Sequence, residues 1–164
     1  MILYFLCHAD AGEPRPQNDD DRELTPNGEA MLRAAAPMWR RLKVRPDVVI
    51  SSPLARAKRT AELAVEGLGL GDPPVADQRL RPGAKWGDLA DAMAVHSGAA
   101  SVMFVGHEPD LSWTIDLLTM ATLVGLRKGG LACVTFEDDP LGGAGRLAWL
   151  LDPDLYQPDA DAVG

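Results

Sequence analysis

The sequence is poor in the residues that staple or metallate a small domain. Its 164 residues include only two cysteines and three histidines. Cys7 and Cys133 are too few for a disulfide framework and read as free thiols. His8, His96 and His107 lack metal-ligand spacing, so neither a structural metal nor another cofactor is expected. Positive charge is also short: 16 Lys and Arg face 24 Asp and Glu, a formal net charge of -8. That balance argues against nucleic acid or an anionic membrane as partner. A phosphate site in such a chain must be built from a few specific arginines. Long apolar runs are missing too. Met1 to Leu6 is too short for a membrane span and lacks the basic flank of a signal peptide, so a cytoplasmic location is expected. No repeat or linker divides the chain, and one domain over residues 1–151 with an acidic, proline-containing tail over 152–164 is expected. A monomer or weak dimer is the expected state.

What is present is an alternation of apolar runs and helical patterns, which predicts an α/β fold with a mainly parallel sheet. Ile2 to Leu6 is a continuous apolar run, as for a strand buried on both faces. Thr25 and Pro26 read as a cap and first position of a helix whose stripe is Met31, Ala35, Met38 and Leu42, with Pro37 expected to kink or split it. Val48 to Ile50 is a second strand. Ser52-Pro53 predicts another helix start by the same rule, with an end at Gly67 to Gly71. Residues 73–80 are ambiguous. A helix follows from Trp86 to Val95, then a strand at Val102 to Val105. The next helix opens at Pro109, with Leu111, Ile115 and Leu118 in register. Strands near Leu131 to Phe136 and Arg146 to Leu151 close the chain. The four tryptophans, Trp39, Trp86, Trp113 and Trp149, read as core or rim packing.

Three polar residues stand just past apolar runs: His8 after the first strand, Arg56 in the helix after the second, and His107 after Val105. In an open parallel sheet the carboxyl ends of the strands share one edge, where ligands bind. Two imidazoles and a guanidinium gathered there suit phosphoryl transfer through a phosphohistidine. A neutral imidazole is nucleophilic near neutral pH without a metal, and a guanidinium makes bidentate bonds to phosphate.

The surrounding residues carry a resemblance. Leu6-Cys7-His8-Ala9-Asp10 resembles the Arg-His-Gly or Arg-His-Ala motif of the histidine phosphatase superfamily. Arg22-Glu23-Leu24-Thr25-Pro26-Asn27-Gly28 is similar to its Leu-Thr-x-x-Gly stretch. Ser51 to Ala57 resembles Ser-Pro-Leu-x-Arg-Ala, and Val105-Gly106-His107-Glu108-Pro109 the second-histidine motif. Four motifs in order across residues 2 to about 150 point to the short SixA-like branch. The resemblance implies a phosphoglycerate mutase-like three-layer sandwich, with helices on both sides of the sheet. It implies His8 as nucleophile and Arg56 and His107 as phosphoryl ligands. The residues themselves offer Arg22, Ser52 and Glu108 as further candidates for substrate binding. Short members lack the insertion that carries a general acid in their mutase-like relatives. By analogy the substrate is phosphohistidine in proteins, whose leaving imidazole can take a proton from water or a nearby carboxyl.

The departure lies at Cys7, where the motif has arginine. A charge-assisted hydrogen bond contributes roughly 1.5–3 kcal/mol, and about 3 kcal/mol at the transition state is on the order of 100-fold in rate. Arg22, ahead of Arg15, is the candidate to replace it. Otherwise the chain is a weakened relative that binds phosphorylated proteins. A phosphomonoesterase for small phosphate esters is a third reading. Cys7 as a redox thiol ranks behind its reading as a small buried hydrophobe. Glu108 reads more simply as a helix cap than as a proton donor, and Asp10 and Asp88 are weaker acids still.

Overall fold

The computed structural model describes residues 1–122, 124–142 and 144–156. At its centre lies β1 (Ile2–Cys7), in which every side chain after Ile2 is buried. A strand covered on both faces has no polar positions to alternate with, which is why its sequence is unbroken in its apolarity. Beside it run β4 (Ser101–Gly106), β2 (Val48–Ser51) and the two-residue edge strand β3 (Val75–Ala76), all parallel. On the other side β5 (Leu131–Thr135) pairs antiparallel with both β1 and β6 (Arg146–Leu151). The sheet order is β3-β2-β4-β1-β5-β6, and among the described strands only β5 runs against the rest.

Two helices cover each face. On one, α1 (Pro26–Arg41) and α2 (Ala55–Leu68) set Leu32, Ala35, Trp39, Ala57, Ala61 and Ala64 against Tyr4, Leu6, Val49, Met103 and Val105. On the other, α3 (Trp86–Ala94) and α4 (Asp110–Thr119) set Leu89, Met93, Leu111, Ile115 and Leu118 against Leu3, Phe5, Ile50, Val102 and Phe104. The alternation of side chains along each strand assigns them to the two cores. This is the three-layer, phosphoglycerate mutase-like arrangement that the motifs implied. Among the described residues no helix is long and apolar enough to cross a membrane.

Several local expectations need correction. The buried stripe of α1 is Leu32, Ala35, Ala36 and Trp39, while Leu42 is exposed. Pro37 does not split α1. It sits on the exposed side, where the carbonyl of Arg33 that loses its donor can turn to water. Helix α2 begins at Ala55, after Ser52 and Pro53 rather than at them, and no side chain caps it. Residues 73–80 hold β3 and a 3-10 turn at Gln78–Leu80. Trp113 does not pack; it is 65% exposed. The chain beyond Asp152 is structured at first: Pro153–Tyr156 form a 3-10 turn with Pro153 and Tyr156 buried, and Tyr156 meets Trp39 edge to face with ring centres 5.8 Å apart. The rest of the expected tail, 157–164, lies outside the described residues.

Candidate active site

Strand register assembles the site. Cys7 pairs with Gly106, so the next residue on each strand, His8 and His107, leaves the sheet at the same height. Ser51 pairs with Val105, which places Ser52 alongside. The rings of His8 and His107 lie 5.3 Å apart between centres at an angle of 61°. Arg56, in the first turn of α2, reaches in from the β2 side. All three side chains are at least nine-tenths buried.

Hydrogen bonds fix which nitrogen of His8 is bare. Its Nδ1 lies 2.8 Å from the Ala9 carbonyl; a carbonyl only accepts, so Nδ1 carries the proton. The lone pair is then on Nε2, which accepts from Arg56 Nε at 3.3 Å. Burial pulls the pKa of His8 down to about 4; the bond to Ala9 opposes this, and the charges of Arg56, Arg22 and Lys128 add to it. Burial lowers His107 to about 3, helped by His8 and Arg56. Both imidazoles are therefore neutral at pH 7. His107 Nε2 shares a hydrogen bond of 2.8 Å with Ser52 Oγ. Ser52 is fully buried and holds His107, which explains why its hydroxyl is not spent on capping α2 conventionally.

These depressed values dictate how stability varies with pH. Between about pH 6.5, where an unfolded histidine titrates, and the folded values, the unfolded chain binds more protons, so stability falls as pH drops through that window. Each histidine accounts for roughly 2 kcal/mol between pH 7.5 and 5. His107→Asn is expected to shrink the acid loss of stability by about that amount, read by urea denaturation at the two pH values. An unchanged loss would contradict a buried neutral imidazole at 107.

Arg22 also arrives, buried and near enough for its charge to act on His8, while Arg15 stays exposed. The residue that joins the arginines is Asp19, which the sequence did not single out. Its carboxylate takes Arg22 Nε at 2.7 Å and Arg56 Nη2 at 3.1 Å, and its carbonyl accepts from Arg56 Nη1 at 2.8 Å. Arg22 Nη1 donates to the Gly12 carbonyl at 2.9 Å. The hydrogen bond from Arg22, above all, holds the Asp19 carboxyl down at about 2. A phosphoryl group with two negative charges competes for the same guanidinium donors.

The Leu-Thr-x-x-Gly stretch supports the nucleophile from behind. Thr25 caps α1 by accepting from Gly28 N at 3.0 Å, and its own backbone N–H donates to the Asp10 carbonyl at 2.9 Å. A Cβ at Gly28 would collide with that same carbonyl oxygen. Gly28→Ala is expected to destabilise the fold by about 1–3 kcal/mol and to displace Asp10, next to the Ala9 carbonyl that sets the His8 tautomer. A thermal melt at or above the wild-type midpoint would refute this.

Glu108 turns its carboxylate into its own helix, accepting from Ser112 N at 3.3 Å and closely from the Ser112 hydroxyl. Burial raises its pKa, and both these bonds are those of a helix cap. Asp10 bonds to Thr25 and Lys128, and Asp88 caps α3 through Lys85 N. Cys7 is 1% exposed among apolar side chains. Burial pushes its thiol up to about 12, the opposite of a reactive thiolate. Among the described residues no group of three or more His, Cys, Asp or Glu could hold a metal ion.

A family model for the histidine phosphatase superfamily (branch 1) matches residues 3–111. An uncharacterized protein of Picosynechococcus sp. is 30% identical, with 92% of this chain and 99% of the relative covered. Among solved structures, a protein histidine phosphatase SixA complexed with tungstate is 28% identical with a TM-score of 0.84, covering 96% of this chain and all of the other. A protein assigned as a phosphohistidine phosphatase SixA, from Agrobacterium tumefaciens, is 26% identical with a TM-score of 0.76, covering 93% and 97%. The matched region holds β1, α2 and β4, the elements that bring His8, Arg56 and His107 together. The chain belongs to the histidine phosphatase superfamily, and its relatives mark it as a phosphatase.

Proposed function

We propose that the chain dephosphorylates phosphohistidine in proteins through a covalent intermediate on His8, without a metal. The observation that carries this reading is the bare Nε2 of His8, buried beside a guanidinium and a second neutral imidazole. In the first step Nε2 attacks phosphorus and the phosphorus–nitrogen bond of the substrate breaks. The departing imidazole takes a proton on its ring from water. In the second step water attacks the phosphorus on His8, releasing inorganic phosphate and restoring the free ring. Arg56 and His107 hold the equatorial oxygens, and Arg22 backs Arg56 after exchanging Asp19 for the phosphoryl group. The likeness to SixA proteins, one of them complexed with the tetrahedral oxyanion tungstate, supports this substrate class.

The test is hydrolysis of a phosphohistidine-bearing protein in the presence of a chelator, with mass spectrometry of rapidly quenched enzyme. Acid-labile phosphate on His8 is the expected result. One observation favours a second reading: Cys7 places an uncharged, buried thiol at the motif arginine's position. Oxyanion binding without turnover or a phosphoenzyme would establish a module that binds phosphorylated proteins. Turnover confined to a panel of sugar phosphates and nucleotides would instead assign a small-molecule phosphomonoesterase.

A further inference from the structure

We infer that Lys128 supplies the cation on the side of the nucleophile where Cys7 leaves none, binding the phosphoryl group opposite Arg56. This rests on the phosphatase reading above. Sheet order makes the argument. Arg56 follows β2 and His107 follows β4, so both approach His8 from one side. On the other side of β1 lies the segment leading into β5, and it is fastened to the end of the nucleophile strand. Gly129 N donates to the carbonyls of Cys7 and His8 at 3.1 and 3.2 Å, and Cys7 N donates to the Gly130 carbonyl at 3.1 Å. The hydroxyl of Tyr156 donates to the Gly129 carbonyl at 3.0 Å. Gly129 adopts φ +81, a left-handed conformation that suits glycine and lets the chain turn this tightly against β1. On the outside, Arg127 pairs with Asp152 and Asp154, both at 2.7 Å.

Lys128 is thus carried on backbone bonded directly to residues 7 and 8. Its Nζ is 3.0 Å from Asp10 Oδ1, two residues past the nucleophile, and its charge acts on both Cys7 and His8. The pair with Asp10 is half exposed on both sides, and such pairs are weakly held. A long, flexible ammonium side chain can leave it for a phosphoryl dianion on His8. The position explains how an active site could tolerate cysteine at the motif arginine: the missing charge comes from a different strand end.

The test compares wild type, Lys128→Met, Lys128→Arg, Cys7→Arg and the double variant Cys7→Arg/Lys128→Met. Orthovanadate affinity and kcat/KM on a phosphohistidine-bearing protein are both measured. Lys128→Met is expected to weaken vanadate binding by about tenfold and to lower kcat/KM by at least as much, the scale of one charge-assisted hydrogen bond. Lys128→Arg should keep most of both. With arginine at position 7, removing Lys128 should matter by about threefold or less. Values for Lys128→Met within about twofold of a wild type that binds vanadate overturn the inference. So does an equal loss in the two backgrounds. The single variants decide alone if Cys7→Arg does not fold. A wild type that binds vanadate without turnover refutes the phosphatase reading instead, and the affinity comparison still judges Lys128. A wild type that binds no vanadate overturns both.

Discussion

His8→Ala is expected to lower kcat/KM by about 10^4-fold or more and to abolish the phosphoenzyme. The size of the effect follows from what leaves with the ring. A two-step path through an N–P bond becomes a direct attack by water, a poorer nucleophile than a buried neutral imidazole. The same substitution should leave tungstate affinity within about tenfold of wild type, because the guanidinium charges of Arg56 and Arg22 and the neutral ring of His107 remain. Isothermal titration with tungstate, beside turnover on phosphohistidine, separates the two quantities. Loss of both would mean that the ring serves mainly to shape the pocket. Retention of several per cent of turnover would mean that His8 does not carry the phosphoryl group.

The elements that position His8 were readable because their physics is local. A strand covered on both faces must be apolar along its covered length, as β1 is and as Val102 to Val105 of β4 are. A capping threonine followed by proline marks the start of α1, and Thr25 performs that role. The misreadings share a cause: a tertiary partner decided between patterns that were equal locally. In α1 the stripe through Met31 and Met38 and the one through Leu32 and Trp39 both have helical spacing; Tyr156, more than a hundred residues away, packs on Trp39 and selects the second. Ser52 has the chemistry of a cap, but His107 claims its hydroxyl. Asp19 sits in a run of three aspartates that reads as solvated loop, and only the convergence of Arg22 and Arg56 turns it into a bridge. Lys128 stands between an arginine and two glycines with no periodicity to flag it. Its placement comes from the hydrogen bonds that its neighbours Gly129 and Gly130 make with the backbone of Cys7 and His8. Sequence order carries no trace of that contact, since an antiparallel strand added beside β1 produces it.

Cys7→Arg is expected to raise kcat/KM by about tenfold to 100-fold, the worth of a charge-assisted or bidentate bond to the phosphoryl group in the transition state. The gain is bounded by what already stands there. Lys128 is a point charge on a flexible stem, whereas arginine presents a planar fork, so the two are not equivalent ligands. The structural cost is also foreseeable. Cys7 is packed among apolar side chains, so a larger residue must displace them, and Glu108 lies close enough to act on the thiol. Crowding of this kind costs about 1–3 kcal/mol, so the melting midpoint should fall even as turnover climbs. An arginine beside Glu108 should also draw its carboxyl pKa down from its raised value, which a titration of the labelled glutamate by NMR would register. Opposite movement of activity and stability is the signature that separates a restored phosphate ligand from general tightening of the fold. A higher melting midpoint with unchanged kcat/KM would show that the guanidinium pairs with Glu108 and never faces the phosphoryl group.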